Sequence, residues 1–201
     1  MSGYTRKDAA YRAAHRAGYR SRAALKLVEL DRRFRLFRSG ARVVDLGCWP
    51  GGWLQVVAAA VGESGRVVGV DREATEGLNL AHVTILTGDV ADPVMRVRAR
   101  AALGGEADLV VSDLAPQLSG VKVADRERHL ALVEVAADWA ADLLQPKGRL
   151  LVKLFSGLES DAVKLLSTRF ASVSQYRPPS TRKGSSEIYA LVAERRAGRR
   201  G

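Results

Sequence analysis

The sequence predicts an α/β fold: a doubly wound, mostly parallel sheet of seven strands with helices on both faces. Three observations carry that reading. Short apolar runs alternate with helical segments along most of the chain. The first five runs are nearly continuous in Val, Leu and Ile, as strands covered on both faces must be. Each of the five also brings an acid, a glycine or a lysine to its end, which suits the edge of such a sheet where ligands bind.

Residues 1–19 read as irregular or weakly helical. A helix is expected from Ser21, a candidate cap, because Ala24, Leu27, Leu30, Phe34 and Phe37 recur at helical spacing until Ser39-Gly40. The first strand is Ala41–Gly47, and a helix follows over Trp53–Val61. Arg66–Asp71 and Val83–Asp89 are the second and third strands. Pro93–Leu103 reads as a helix with proline at its start. Asp108–Asp113 is the fourth strand, Asp125–Leu144 a long helix stopped near Pro146, and Gly148–Phe155 the fifth strand. Glu159–Phe170 reads as helix, and two last strands lie near Ala171–Arg177 and Ser186–Glu194. The chain divides into a basic N-terminal segment (1–20), one catalytic-sized domain (21–196) and a short basic tail (197–201).

Composition narrows the class. With 201 residues and 47% apolar content, a single domain with its own core is expected. Cys48 is the sole cysteine, so no intrachain disulfide forms. No apolar run approaches the ~20 residues of a membrane span. The polar, basic start argues against a secretory signal, and Asp8 with few serines argues against an organelle-targeting peptide, so a cytoplasmic location is expected. The net charge is +10, unevenly placed: residues 1–40 carry +8, residues 177–201 carry +5, and the body between them −3. Two basic ends around a nearly neutral body suit a polyanion. Tyr4, Tyr11 and Tyr19 interleave with Arg6, Arg12, Arg16, Arg20 and Arg22, a mixture that suits phosphates and unpaired bases, so RNA is the expected partner. His15, His82 and His129 have no metal-ligand spacing, and no metal is expected.

The strand ends deliver Asp45 and Gly47, then Asp71, Asp89, Asp113 and Lys153 to one edge. One such residue is commonly a cap; five together point to a ligand. The turn Gly47-Cys-Trp-Pro-Gly-Gly-Trp53 is not a dinucleotide fingerprint, because Trp49 stands where the second glycine must be. It is not a phosphate-cradling Walker loop either, because Gly-Gly-Trp replaces Gly-Lys-Ser/Thr. A nucleoside without a pyrophosphate still fits. Asp71 can accept both ribose hydroxyls, Gly51 and Gly52 permit close backbone approach, and Asp89 can meet an adenine amino group. That ligand is S-adenosylmethionine, in a Rossmann-like methyltransferase fold.

The residues between Tyr19 and Val192 resemble the FtsJ/RrmJ (RlmE) family of ribose 2′-O-methyltransferases. The segments are Arg20-Ser-Arg-Ala-Ala-Leu-Lys26-Leu, Val44–Trp53, Val111-Ser-Asp113-Leu-Ala-Pro-Gln-Leu-Ser-Gly120, Leu151–Phe155 and Arg182-Lys-Gly-Ser-Ser-Glu187-Ile-Tyr189, in that order and spacing. Cys48 and Trp49 depart from the small residues usual in the family at those positions. The resemblance implies a catalytic tetrad of Lys26, Asp113, Lys153 and Glu187. It also implies cofactor contacts at Gly51, Trp53, Asp71, Asp89 and Asp113. Cys48 is read as a core residue and not a nucleophile.

A sulfonium methyl is already activated, so the protein must hold the 2′-oxygen in line and remove its proton. Positioning alone can contribute roughly 7–11 kcal/mol. Lys153 is the expected proton acceptor. A free lysine ionises near about 10.4, so the amine must be made neutral; Lys26 beside it would help and Asp113 would oppose. Arg20 and Arg22, just before Lys26, are expected to contact RNA phosphates. The resemblance implies a uridine of large-subunit ribosomal RNA as target and a monomer as the working form. A tRNA anticodon-loop enzyme and an inactive RNA-binding module are the alternatives. A nicotinamide-dependent oxidoreductase is disfavoured by Trp49.

Overall fold

The computed structural model describes residues 9–179 and 187–195. Tyr4, Arg6, the Arg182-Lys-Gly-Ser-Ser part of the last motif and the 197–201 tail lie outside the described residues. The elements are α1 (Ala9–Arg16), α2 (Ala23–Phe34), β1 (Arg42–Leu46), α3 (Gly52–Val61), β2 (Arg66–Asp71), β3 (Val83–Thr87), α4 (Pro93–Leu103), β4 (Ala107–Ser112), α5 (Lys122–Leu143), β5 (Leu144–Phe155), α6 (Glu159–Ser167), β6 (Phe170–Tyr176) and β7 (Glu187–Arg195). Among the described residues they form one seven-stranded sheet in the order β3-β2-β1-β4-β5-β7-β6. The first five strands run parallel, and β7 lies antiparallel between β5 and β6. The expected doubly wound fold is the one observed.

Period-two alternation sorts the strand residues into two cores. Val44, Leu46, Val68, Val70, Val110, Leu150 and Val152 join Met95 and Ala99 of α4 and Val133, Ala136, Trp139 and Ala140 of α5. Val43, Val67, Leu109, Val111, Leu151 and Tyr189 join Leu27 and Leu30 of α2 and Leu54, Val57 and Val61 of α3. Each Val, Leu or Met among them contributes about 1.5–3 kcal/mol when fully buried. Only β3 departs from the expected two-sided burial: it is an edge strand, and all five of its residues keep some exposure.

Several element boundaries differ from expectation, three of them with a visible cause. Residues 9–16 are more regular than expected: α1 forms and docks through Ala14, which is buried. The next helix ends at Phe34, not at Ser39, and Ser21 does not cap it; Arg22 holds the cap position without a side-chain hydrogen bond. Arg35 turns left-handed at φ 48°, and Asp31 Oδ1 accepts the Leu36 and Phe37 amides at 2.8 and 3.1 Å. Phe37 therefore continues the apolar pattern beyond the helix. Finally, β5 begins at Leu144, because a register shift lets Leu144 pair with Ala107 and Arg149 with Leu109.

The strand order reverses between β1 and β4, the switch point where α/β sheets bind ligands. Leu46 of β1 and Val152 of β5 both pair with Ser112 of β4. Asp113, one residue on, therefore emerges beside Lys153.

Candidate active site

The four expected catalytic residues come together as two ion pairs at this edge. Lys153 Nζ lies 3.2 Å from Asp113 Oδ1 and donates to the Asp113 carbonyl at 2.5 Å. Lys26 Nζ donates to Glu187 Oε2. Both lysines are buried, Lys26 at 9% and Lys153 at 5% exposure, so neither is an ordinary surface charge. The register of β5 on β7 explains the proximity: Lys153 pairs with Tyr189 and Phe155 with Glu187.

Lys26 is brought in by α2, which is fastened at both ends. Trp53 Nε1 donates to the Ala23 carbonyl at 2.9 Å. Arg149, from β5, donates to the carbonyls of Phe34, Arg35 and Leu36 at 3.1, 2.7 and 3.0 Å and so satisfies the helix C-terminus. Trp53 was expected to contact a cofactor. Its ring instead sits in the core, 4% exposed and 5.9 Å from the Tyr189 ring. The reason is packing: the indole fills the space between α2 and β7, and its N–H is satisfied by the Ala23 carbonyl.

Tyr189 was read only as part of a motif, yet it belongs to the site. It is fully buried, and its hydroxyl donates to Asp113 Oδ1 at 2.8 Å. Burial first, then the charges of Asp113 and Glu187, push its ionisation well above the usual phenol range. It remains a donor. Asp113 thus holds Lys153 through Oδ1 and its carbonyl while accepting the phenol.

The glycine-rich turn lies beside this cluster. Gly51 adopts φ 103°, a left-handed conformation that disfavours any side chain. Asp71 closes the turn: its Oδ2 accepts the Trp49 amide at 2.9 Å and its Oδ1 the Glu73 amide at 3.0 Å. Trp49 is 57% exposed and points outward, so the departure at this position does not fill the turn. Asp89 follows β3. Its Oδ1 accepts the Ala91 amide at 2.9 Å, Arg72 pairs with its Oδ2 at 2.6 Å, and these bonds hold its carboxyl below the usual range. Cys48 is buried, and its thiol is pushed up to about 12 by burial first and then by Asp45, as a core residue and not a nucleophile.

Two buried titratable groups adjoin the cluster. Asp45 is completely buried, and neither carboxylate oxygen has a hydrogen-bond partner among the described residues. Burial, then Asp113 and Asp71, raise its ionisation well above the usual carboxylate range. His129 of α5 stacks on Phe155 at 4.2 Å, and its Nε2 accepts the Phe155 amide at 3.1 Å. Burial, then the charge of Lys153, lower it to about 4.

The two arginines expected on RNA both lie in the segment between α1 and α2. Arg20 places its guanidinium on the carbonyls of Glu76 and Gly77, at 2.6 and 3.1 Å. Arg22 is the cap residue of α2 and partly buried. Among the described residues, no group of three His, Cys, Asp or Glu side chains is placed to hold a metal ion, and no helix is long and apolar enough to cross a membrane.

Known proteins resemble this chain in sequence and in fold. The profile of the FtsJ-like methyltransferase family matches residues 19–195. The ribosomal RNA large subunit methyltransferase E of Methanothermobacter thermautotrophicus is 42% identical over 187 residues, spanning 92% of this chain and 89% of the relative. A crystal structure described as a ribosomal RNA methyltransferase from Plasmodium falciparum superposes with a TM-score of 0.75 at 24% identity, covering 88% of this chain and 98% of that one. Fibrillarin from Aeropyrum pernix, solved with natively bound S-adenosyl-L-methionine, shares the fold at a TM-score of 0.60 and 16% identity, over 87% of this chain and 75% of its own.

Proposed function

The chain belongs to the FtsJ-like methyltransferase family, and we propose that it transfers a methyl group from S-adenosylmethionine to the ribose 2′-hydroxyl of a uridine in large-subunit ribosomal RNA. The observation that carries this reading is the assembly of Lys26, Asp113, Lys153 and Glu187 as two ion pairs at the switch point, beside a glycine-rich turn closed by Asp71.

The residues present fit the cofactor. Each Asp71 oxygen accepts one backbone amide and keeps a lone pair free for the ribose hydroxyls. Gly51, the cap residue of α3, carries no side chain, and Asp89 stands partly exposed on the next strand end for the adenine amino group. Asp113 faces the methyl-donating end. When bound, S-adenosylmethionine supplies a methyl carbon already activated by positive sulfur.

The protein contributes position and proton removal. Lys153 Nζ accepts the proton of the 2′-hydroxyl. Asp113, pinned by the Tyr189 phenol, holds that amine through its carbonyl and Oδ1 and fixes where its lone pair points. Lys26, held by Glu187, is the second amine at the same edge and orients the ribose oxygen. The basic ends of the chain bring the RNA, with Arg12 and Arg16 of α1 exposed beside the site's own segment. The enzyme acts as a monomer in the cytoplasm.

The test uses tritiated S-adenosylmethionine with large ribosomal subunits lacking 2′-O-methylation, and total tRNA in parallel, followed by mapping of the labelled nucleotide. Label on a ribose of the large-subunit RNA is expected. Label on tRNA alone would move the substrate to the anticodon loop. Lys153→Ala should abolish transfer while cofactor binding persists; retained turnover in that variant would refute its role.

A further inference from the structure

Arg20 sits in the linker between α1 and α2, where a run of basic residues suggested phosphate contacts. Its surroundings say otherwise. Nη1 and Nη2 donate to the carbonyls of Glu76 and Gly77, in the loop that leads away from Asp71. The backbone amide of Arg20 donates to Gln55 Oε1 of α3 at 2.7 Å, and Gln55 Nε2 donates back to the Gly18 carbonyl at 3.0 Å. The side chain passes directly over Gly51: a Cβ built there would lie 3.0 Å from Nη1, 3.1 Å from Cδ and 3.4 Å from Thr75 Cγ2. The next residue seals the same face, because a Cβ on Gly52 would lie 2.2 Å from Ser21 Oγ. Arg20 therefore ties three segments together: the α1–α2 linker, the first turns of α3, and the loop after β2.

Asp71 anchors the near end of that loop through the Glu73 amide. Arg20 anchors its far end through Glu76 and Gly77. With both ends held, the loop cannot swing away from the glycine-rich turn without breaking charge-assisted hydrogen bonds. The two carbonyls take one N–H from each terminal nitrogen of the guanidinium and fix its plane against the loop through charge-assisted hydrogen bonds.

We propose that Arg20 is a positioning residue for the cofactor pocket, clamping the loop after Asp71 onto the glycine-rich turn, and not a contact to RNA. The inference rests on the reading of that pocket as an S-adenosylmethionine site. It separates two jobs within one basic stretch: Arg12 and Arg16 are exposed on α1 for the polyanion, while Arg20 serves the cofactor.

The experiment is a calorimetric titration of the full chain with S-adenosylmethionine, without RNA, for the native protein, Arg20→Ala and Arg20→Lys. RNA binding is measured alongside over a series of salt concentrations, and thermal melting checks the fold. Arg20→Ala should weaken cofactor binding about tenfold or more, the scale of one hydrogen bond to a charged group. Arg20→Lys, which can reach one carbonyl but not both, should fall between, and keeps the test alive should the alanine variant misfold. In turnover, the loss should fall on KM for the cofactor more than on kcat. The slope of log affinity against log salt for RNA should be unchanged, whereas a lost phosphate contact would lower it by about one. Unaltered cofactor affinity with a reduced salt slope would overturn the proposal and return Arg20 to the RNA. Native protein that binds no S-adenosylmethionine would overturn the cofactor reading itself, a distinguishable result.

Discussion

Replacing Tyr189 by Phe removes one oxygen atom from the site and almost nothing from the core. The ring is fully buried against Trp53 and stays so in the variant. What disappears is the 2.8 Å hydrogen bond to Asp113 Oδ1. A hydrogen bond to a charged group contributes about 1.5–3 kcal/mol. If Asp113 must be held in place for Lys153 to work, that loss enters the transition state and lowers kcat by roughly 10- to 100-fold, since about 1.4 kcal/mol is tenfold. Cofactor affinity should change far less, because Asp71 and the glycine-rich turn are untouched. The assay is steady-state methyl transfer, with kcat and KM for both substrates, and a melting curve on the same sample. A kcat within about twofold of native, accompanied by a lowered melting temperature, would show that the phenol only stabilises the fold, and the argument that Asp113 is pinned for catalysis would fail.

Two further outcomes follow from the buried titratable groups. His129 has its folded ionisation lowered from 6.5 to about 4, so the unfolded chain takes up a proton first as pH falls. Its contribution is therefore complete above about pH 6.5 and drains as pH falls towards 4, a total of about 3 kcal/mol; denaturant midpoints across that window should fall less steeply in His129→Gln, and parallel curves would refute the assignment. Asp45 acts in the opposite sense, its raised ionisation costing stability as pH climbs from 3.8, but it is present in both proteins and cancels in the comparison. Cys48, with its thiol near 12 and buried, should resist an aromatic disulfide reagent at about pH 8 until the protein is unfolded; rapid labelling of the native protein would contradict its placement in the core.

How much of this was legible beforehand depended on how local the signal was. The bounds of β2 and α4 coincide with the expected Arg66–Asp71 and Pro93–Leu103. In α4 the stop and start signals are adjacent in sequence: Asp92 caps the Val94 amide and Pro93 follows it directly. The end of α2 was not legible, because what closes it is Arg149, more than a hundred residues away on β5. The tetrad could be read from its motifs, and the sheet order then brings its members together. The partnership of Tyr189 with Asp113 could not be read, since it depends on β5 being flanked by both β4 and β7. Arg20 looked like its basic neighbours. The acceptors that claim it are main-chain carbonyls of Glu76 and Gly77, and carbonyls leave no mark in a sequence. The seat of the Trp53 ring was not legible for a related reason: its motif position carries no sign that the large apolar ring packs between two elements of the core.

The arrangement of charge at the switch point suggests why a single edge can take two chemically opposite ligands. Asp71 of β2, Asp45 of β1 and Asp113 after β4 line one half of it, and the lowered ionisation of Asp89 keeps a fourth carboxylate charged at the far end. Lys153 of β5 and Lys26 of α2, with Glu187 of β7, line the other half. A sulfonium-bearing cofactor suits the carboxylate half, and a phosphate-bearing RNA suits the lysine half with the basic α1 beyond it. Asp113 is a carboxylate at the end of β4 that also holds Lys153, and so it stands where the two halves meet. Burial first, and then the neighbouring charges of Asp113 and Asp71, raise the ionisation of the fully buried Asp45 well above the usual carboxylate range. On this reading the reaction is placed where the two halves meet, with the methyl donor approaching along the carboxylates and the proton leaving along the lysines.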